Sequence, residues 1–438
     1  MSFKPLILAL SVAFSPVALG GNLSDAYRAA AAHDAIYAAA QSAYRAAQER
    51  IPQARAGLLP NIGLNANTRY NDVEGTTLGT TITNDFNSNS WSVYANQPIY
   101  RAQNLVSYRQ AKVSVQQAEY QLKASEQDLI LRTARAYIDV LAAQDNLTFT
   151  LAQKDAFAEQ LASAKRNFEV GTATVVDTHE AQARYDLAIS QEITATNVLE
   201  IKRRALRNLT GREVNTLATL TPEPMPFAPE PANVDEWVSR SQQDNLDVRI
   251  RQQAKEIADK EIDRTRAGHH PTLDLTAGYT DASNQNIGTA TIDSKAGYVG
   301  LEFGLPIYQG GLVSSQVREA VANQERFRQE LEDALRNAAL QTRDAYFNVL
   351  STQSQVKALE AALASSMKSL ESTQVGRDVG VRTNLDVLDA QQQVTSAQKE
   401  LALARYLSLI ALLNLKASAG TLTAADLEQI DRMLVVAK

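Results

Sequence analysis

The sequence predicts a mostly helical protein with a small β part, built from one unit that occurs twice. Motifs recur in the same order at a nearly constant distance along the 438 residues. Long segments without proline or glycine carry a seven-residue apolar repeat, which is typical of coiled-coil helices. Between these segments, shorter stretches alternate apolar and polar residues, as β-strands with two different faces do.

The two copies of the unit are related by a distance that hardly changes. Gly171 and Gly380 are 209 residues apart, and the motifs ARAGLLP, QPIY and AYIDVL return as TRAGHHP, LPIY and AYFNVL. We therefore predict a first repeat at 21–220 and a second at 232–438. The proline-rich segment 221–231 between them is predicted to be an extended linker, because proline fixes φ and cannot continue a helix.

Each repeat contains one helix that is much longer than a globular helix. Proline and glycine are absent from about Ala102 to Phe168 and from about Leu312 to Gln374. In the first of these segments, apolar residues fall seven apart, which predicts a coiled-coil seam. Shorter helices are predicted before each strand region and after each long helix, at about Leu23–Ala56, Val234–Ala267, Thr174–Leu209 and Leu385–Lys416.

Two strand pairs are predicted, at 60–100 and at 271–308, each divided by a polar loop. Membrane-spanning β-strands are alternating segments of about ten residues, and soluble hairpins remain the alternative interpretation. Several aromatic residues in these regions are candidates for a girdle at the membrane surface, with ordinary packing as the alternative: Trp91, Tyr100, Tyr298 and Tyr308.

The small number of strands predicts an assembly of several chains. Four strands cannot close a barrel, and an open sheet edge in lipid would leave backbone N–H and C=O groups without partners. Either the strands lie outside a membrane, or several chains combine them. The apolar seams of the long helices also need neighbours, so we expect a homo-oligomer.

Composition excludes several classes of function. The net charge of -6 and the absence of a basic run argue against nucleic-acid binding. The chain has no cysteine, so it has no disulfide, no thiolate metal site and no lipid anchor on a cysteine. Its four histidines are too scattered for a zinc site. Without a nucleotide or nucleophile motif we predict no enzyme activity and no cofactor.

The first 20 residues have the pattern of a secretory signal peptide. Lys4 precedes an apolar segment at 6–14, and Ala18 and Gly20 are small residues at the -3 and -1 positions of a cleavage site. This pattern predicts that the protein leaves the cytoplasm.

The motifs ARAGLLP at 54–60, GTATVVD at 171–177 and GVRTNLDVLDA at 380–390 resemble those of the TolC family of outer-membrane efflux and type I secretion channels. The resemblance covers the whole mature chain. It implies a homotrimer in which four transmembrane strands per chain form a 12-stranded barrel. A long coiled-coil helical tunnel would continue this barrel into the periplasm.

The resemblance also implies a function and partners. The protein would be a passive exit duct in the outer membrane of a Gram-negative bacterium, exporting small molecules, proteins or both. It would work with a periplasmic adaptor and an inner-membrane pump of the RND, ABC or MFS type. A periplasmic coiled-coil adaptor or scaffold protein is the alternative.

Two carboxylates after the second predicted turn are candidates for a pore constriction. Asp386 and Asp389 are three residues apart and share a helix face. The resemblance implies that they form the periplasmic constriction, where three chains would bring six carboxylates together. Helix capping is the alternative for Asp386 and for Asp177, since both follow a threonine by three residues. Asp389 lies beyond the first helical turn, so capping explains it poorly.

The resemblance further implies a latch at the end of the tunnel. Arg382 matches a family position that pairs with the acid at Asp177 and holds the tip closed. Arg377 stands where the family's best-known member has a tyrosine, and a second arginine there would reach Asp177 or Glu180. The predicted turns at 171–173 and 380–383, which contain Gly171 and Gly380, would contact the adaptor.

Overall fold

A computed structural model describes residues 21–172, 174–213, 217–220, 229–285 and 291–436. The predicted signal peptide lies outside the described residues, as do residue 173 of the first predicted turn and residues 221–228 of the predicted linker. The helices and strands, in chain order, are α1 Leu23–His33, α2 Ala35–Gln48, α3 Arg50–Ala56, β1 Asn61–Thr77, β2 Thr80–Arg101, α4 Ala102–Glu169, α5 Val175–Thr210, β3 Ala218–Leu220, α6 Val234–Asp244, α7 Leu246–Arg266, β4 Thr272–Gln285, β5 Thr291–Gly304, α8 Leu312–Asp378, α9 Asn384–Ser418, α10 Ala424–Asp431 and β6 Leu434–Val436.

The chain forms two compact units, and the two longest helices contribute to both. The strand unit consists of residues 39–125 and 238–341, and the helical unit consists of the described parts of 1–38, 126–237 and 342–438.

The strand unit contains a four-stranded antiparallel sheet in the order β1-β2-β4-β5. β1 and β5 are therefore its two edges. Because side chains alternate across a strand, apolar residues such as Leu64, Val93 and Leu301 share one face, and polar residues such as Asn65, Ser92 and Thr276 share the other. Near the end of the sheet where α4 begins, Arg101 donates to Asp274 at 2.6 and 2.9 Å, and the Asp274 side chain is buried.

Helices of the strand unit pack through a small apolar core and through amide contacts. Val248 of α7 is buried with Ala334 and Ala338 of α8. Gln110 and Gln117 of α4 donate to backbone carbonyls of α7 at 3.2 and 3.3 Å. The side-chain amides of these glutamines thus have hydrogen-bond partners on the neighbouring helix.

The helical unit has the larger core. Leu23, Ile130, Tyr137, Leu409 and Leu413 are among its fully buried residues. The short strands β3 and β6 pair beside this core. The hydroxyl of Tyr137 donates to the carbonyl of Ala218 at 3.2 Å, which ties the middle of α4 to β3.

Helix α9 is long and apolar, and it packs in the core of the helical unit. Within the described part of the chain, α9 is the one helix long and apolar enough to cross a membrane, and half of its most apolar stretch is buried inside the protein. Buried residues recur along its length, from Val387 to Leu415. Packing against α4 and α8 residues in three apolar clusters accounts for this composition.

The helical unit contains a partly buried hydrogen bond between a tyrosine and an ionisable carboxyl group. Tyr406 of α9 donates its hydroxyl to Asp145 of α4 at 2.7 Å. Burial raises the pKa of Asp145, and the hydrogen bond from Tyr406 only partly offsets this effect. The folded protein therefore holds a carboxylate whose ionised form is less favourable than in the unfolded chain.

Tyr406→Phe should lower the free energy of unfolding by about 1–2 kcal/mol, because Asp145 loses its donor while it stays buried. Asp145→Asn should not destabilise the protein at neutral pH. The folded pKa of Asp145 is higher than the unfolded value, so stability falls as the pH rises from the unfolded pKa through the folded pKa, and the full cost is present at neutral pH. Urea unfolding of the detergent-solubilised variants measures both effects. Equal destabilisation by the two substitutions would contradict this account.

Candidate functional site

Two turns between consecutive helices of the helical unit have the same backbone geometry. Gly171 and Gly380 have φ of 79° and 78°, a left-handed conformation that favours glycine. The amide of Thr172 donates to Asn167 at 2.8 Å, and the amide of Val381 donates to Gly376 at 2.8 Å. Both α4 and α8 thus end in a Schellman motif.

The helices that follow the two turns begin with the same capping box. Thr174 and Thr383 each accept from the amide three residues later, and Asp177 and Asp386 each accept from the threonine amide at 2.8 Å. The hydrogen bond from the Thr383 amide lowers the pKa of Asp386. Within one chain, Asp177 and Asp386 therefore both cap a helix, as the capping alternative predicts.

Asp389 has a different partner, one that the sequence did not predict. Arg184 of α5 binds Asp389 of α9 at 2.7 Å. The side chain of Asp389 is 58% exposed and that of Arg184 is 30% exposed. Each Asp389 thus has a positive charge beside it, although it also faces solvent.

The predicted latch arginines have partners on their own helix or turn. Arg377 binds Asp378 at 2.7 Å, and Arg382 lies 4.0 Å from Asp386. Among the described contacts of the chain, neither arginine pairs with Asp177 or Glu180. The stem of Arg382 lies over Gly376, where an added Cβ would be 2.8 Å from its Cγ atom.

Apolar side chains are exposed at both turns. Val170 beside the first turn is 72% exposed, and Val379 and Val381 beside the second are 69% and 77% exposed. Water-exposed valines grouped at two turns of the same geometry are typical of a contact surface for another protein.

The apolar face of the sheet is also exposed in the single chain. Ile62, Leu64, Val299, Leu301 and Phe303 are all exposed on this face. The opposite face carries Asn65, Asn67, Ser92, Asp274, Thr276 and Glu302. A sheet with one apolar and one polar face is suited to contact lipid on the apolar side and water on the polar side.

The aromatic girdle prediction is wrong for one residue. Trp91 lies on the apolar face and contacts Tyr279, with ring centroids 5.4 Å apart. Tyr298 is opposite Gly278 in the register and shares a face with Glu302, so it lies on the polar face. Alternation with the apolar residues Val299 and Leu301 places it there.

No metal centre is formed by the described residues, which contain no group of three or more His, Asp or Glu side chains suited to hold an ion.

Comparison with known proteins gives concordant matches. The family model of the outer membrane efflux proteins matches residues 26–212 and 237–421. Outer membrane protein TolC of Escherichia coli is 35% identical over 446 residues, which cover 98% of this chain and 88% of that protein. Proteases secretion protein PrtF of Dickeya chrysanthemi is 29% identical, covering 93% of this chain and 90% of that protein. The solved structure of the outer membrane protein VceC of Vibrio cholerae has a TM-score of 0.77 at 18% identity, covering 91% of this chain and 96% of that chain.

The shared turn geometry leads to a prediction about both glycines. Gly171→Ala and Gly380→Ala should each destabilise their turn by about 1 kcal/mol, because a Cβ disfavours positive φ. Among the described residues, no atom beyond the adjacent ones lies within 4 Å of a Cβ added at either site, so backbone strain is the cause. Hydrogen exchange of the Thr172 and Val381 amides should become faster in the alanine variants.

Asparagine is the matched control, because it tolerates the left-handed conformation better than alanine. Gly171→Asn and Gly380→Asn should change the exchange rates less. Equal exchange in the parent, alanine and asparagine variants would show that these turns do not depend on glycine.

Proposed function

Because the chain belongs to the outer membrane efflux protein family, it is an exit duct of the Gram-negative outer membrane for efflux or type I secretion, and we propose that three copies form this duct. The family consists of channels and not of enzymes, as the sequence predicts. The predicted fold class is also confirmed: the chain has the fold of the outer-membrane channels, mostly helical with a four-stranded sheet.

The sheet supports the proposed trimer. β1 and β5 each have one edge without a strand partner in the described chain, and such edges are not stable in lipid. Three sheets joined edge to edge would give twelve strands and leave no edge. The exposed apolar face would then contact lipid, and the polar face would line a water-filled lumen.

We propose that the partners are a periplasmic adaptor and an inner-membrane pump. The relatives' names support the general class, since TolC is an outer-membrane protein and PrtF is a proteases secretion protein. The exposed valines at the two turns support an adaptor contact there. The sequence has no nucleotide-binding motif, so the energy for export would come from the pump.

We propose that the two turns lie at the periplasmic tip and that Asp386 and Asp389 form its constriction. The capping box fixes the position of Asp386, and the Arg184 ion pair reduces the charge that Asp389 presents. Arg382 and Arg377 would leave their local partners to bind Asp177 and Glu180 of a neighbouring chain. Exposed ion pairs contribute about 0–1 kcal/mol each, so such a latch can open without a large barrier.

The match to TolC over 98% of the chain is the observation that carries the function. An outer-membrane trimer that dissociates on heating and conducts ions in a planar bilayer is the expected result. Recovery as a soluble periplasmic monomer would contradict the duct and favour the adaptor or scaffold alternative.

Arg377→Ser combined with Arg382→Ser should raise the single-channel conductance several-fold, because the proposed latch loses its positive charges. Single-channel recording in planar bilayers measures the change. Arg204→Ser is a suitable control, since this arginine lies on α5 outside the two turns. Unchanged conductance in the double variant would exclude both arginines from the gate.

Asp386→Ala combined with Asp389→Ala should relieve block by a trivalent cation, because the proposed ring loses its carboxylates. Arg184→Gln should have the opposite effect and strengthen the block by about fivefold, which corresponds to loss of about 1 kcal/mol of competing attraction. The dependence of conductance on cation concentration gives both values. Equal block in the parent and the double variant would exclude the constriction, and unchanged block in Arg184→Gln would show that this ion pair does not affect it.

A further inference from the structure

We propose that a row of alternating glycines and tyrosines on the polar face of the sheet sets the open width of the lumen where the row lies, with each tyrosine ring lying over the glycine beside it. This inference rests on the proposed trimeric barrel, because the polar face becomes the wall of the lumen only when the sheets close.

The register of the sheet aligns four residues across all four strands. Gly63 of β1 is opposite Tyr94 of β2, and Tyr94 is opposite Gly278 of β4 on its other side. Gly278 is in turn opposite Tyr298 of β5. Glycine and tyrosine thus alternate across the sheet from one edge to the other.

The two tyrosine rings occupy the space that side chains at the glycines would need. A Cβ added at Gly278 would lie 2.5 Å from Cε1 of Tyr298, and one added at Gly63 would overlap the ring of Tyr94. Neither glycine is among those with positive φ, so the backbone conformation does not require glycine at these positions. Close approach of the rings requires it.

The row lies on the face that would line the lumen. Residues an even number of positions apart on a strand share a face. Gly63 therefore shares its face with Asn65, Gly278 with Thr276, and Tyr298 with Glu302. Tyr94 and Tyr298 are 40% and 57% exposed. One side of each ring therefore covers the neighbouring strand, while the other faces the lumen.

This arrangement affects how far the rings extend into the duct. A tyrosine that stands upright projects its full length into the lumen, whereas one that lies on a glycine adds only the thickness of its ring. Three chains would place six such rings around the lumen, in three copies of the row. A side chain at the glycines would lift the rings off the wall, and the open width at the row would decrease.

The size of molecules that pass the row can be measured with a single introduced cysteine. The natural chain has none, so Glu302→Cys provides one reactive thiol on the polar face, in the part of β5 between Tyr298 and α8. Maleimide-linked polyethylene glycols of increasing mass, added outside intact cells, must pass the row to reach it. The mass of the largest polymer that reacts reports the open width of the lumen at the row, independently of any closure at the tip.

Gly63→Val combined with Gly278→Val should lower the labelling rate of the largest polymer accepted by the parent by about an order of magnitude. Tyr94→Ala combined with Tyr298→Ala should admit larger polymers than the parent does. Adding the tyrosine substitutions to the valine variant should restore labelling. Gly300→Val is the control, because it adds one valine on the same face away from the rings. Among the described residues beyond its chain neighbours, the atom nearest to a Cβ there is Oγ1 of Thr276 at 3.9 Å.

An unchanged size limit in both the valine and the alanine variants would overturn the proposed row. If the valine variant forms no heat-dissociable trimer, the alanine variant decides, and a size limit equal to that of the parent rejects the proposal. If the introduced thiol of the Glu302→Cys trimer reacts with no external maleimide of any size, the proposed barrel itself is contradicted, because the polar face then does not line an open duct.

Discussion

The two unpaired edges of the four-stranded sheet are the constraint on which the rest of the structure depends. Backbone groups at β1 and β5 have no water to bind inside a membrane, so only closure by further strands can satisfy them. Closure assigns the two faces of the sheet to lipid and to lumen, and it explains why apolar side chains such as Leu64, Val299 and Leu301 are exposed in a single chain. Helix α4 continues directly from β2, and α8 follows β5 after a short connection. Closing the sheets would therefore bring copies of these helices together as well.

Periodicity made much of this fold predictable from the sequence. The seven-residue repeat and the absence of proline and glycine predict α4 and α8, because helix formation depends on nearby residues. The alternation of Ile62, Leu64 and Ala66 is also a local pattern, and it predicts a strand with one apolar and one polar face. Long-range pairs leave no such pattern. Arg184 and Asp389 are 205 residues apart, and nothing in either local sequence indicates the other. The girdle assignment of Tyr298 had a different fault, since its position next to Val299 already indicates the opposite face.

The tip residues show how one carboxylate can have two roles. Capping and pore formation seemed to be alternatives for Asp386, yet a cap also fixes where the carboxylate lies. Hydrogen bonds from Thr383 hold the Asp386 side chain and favour its ionised form, since they lower its pKa. A fixed, ionised group needs little reorganisation to act on a passing cation. The cap is therefore compatible with a place in the proposed constriction and would make it more rigid.

The two repeats differ in charge beside their turns, where the proposed tip needs asymmetry. With a repeat distance of 209 residues, Asp177 corresponds to Asp386 and Glu180 corresponds to Asp389, so both hairpins carry the same pair of acids after their turns. Arg377, by contrast, corresponds to Phe168, so the second repeat alone carries positive charge at that position. If six hairpins alternate around a ring, each second-repeat arginine lies beside a first-repeat hairpin with acids and no arginine of its own at that position. Arg377 would then offset the repulsion between acids at contacts between unlike repeats. This favours alternation of the two hairpins and gives the duplicated chain an order that identical repeats would lack.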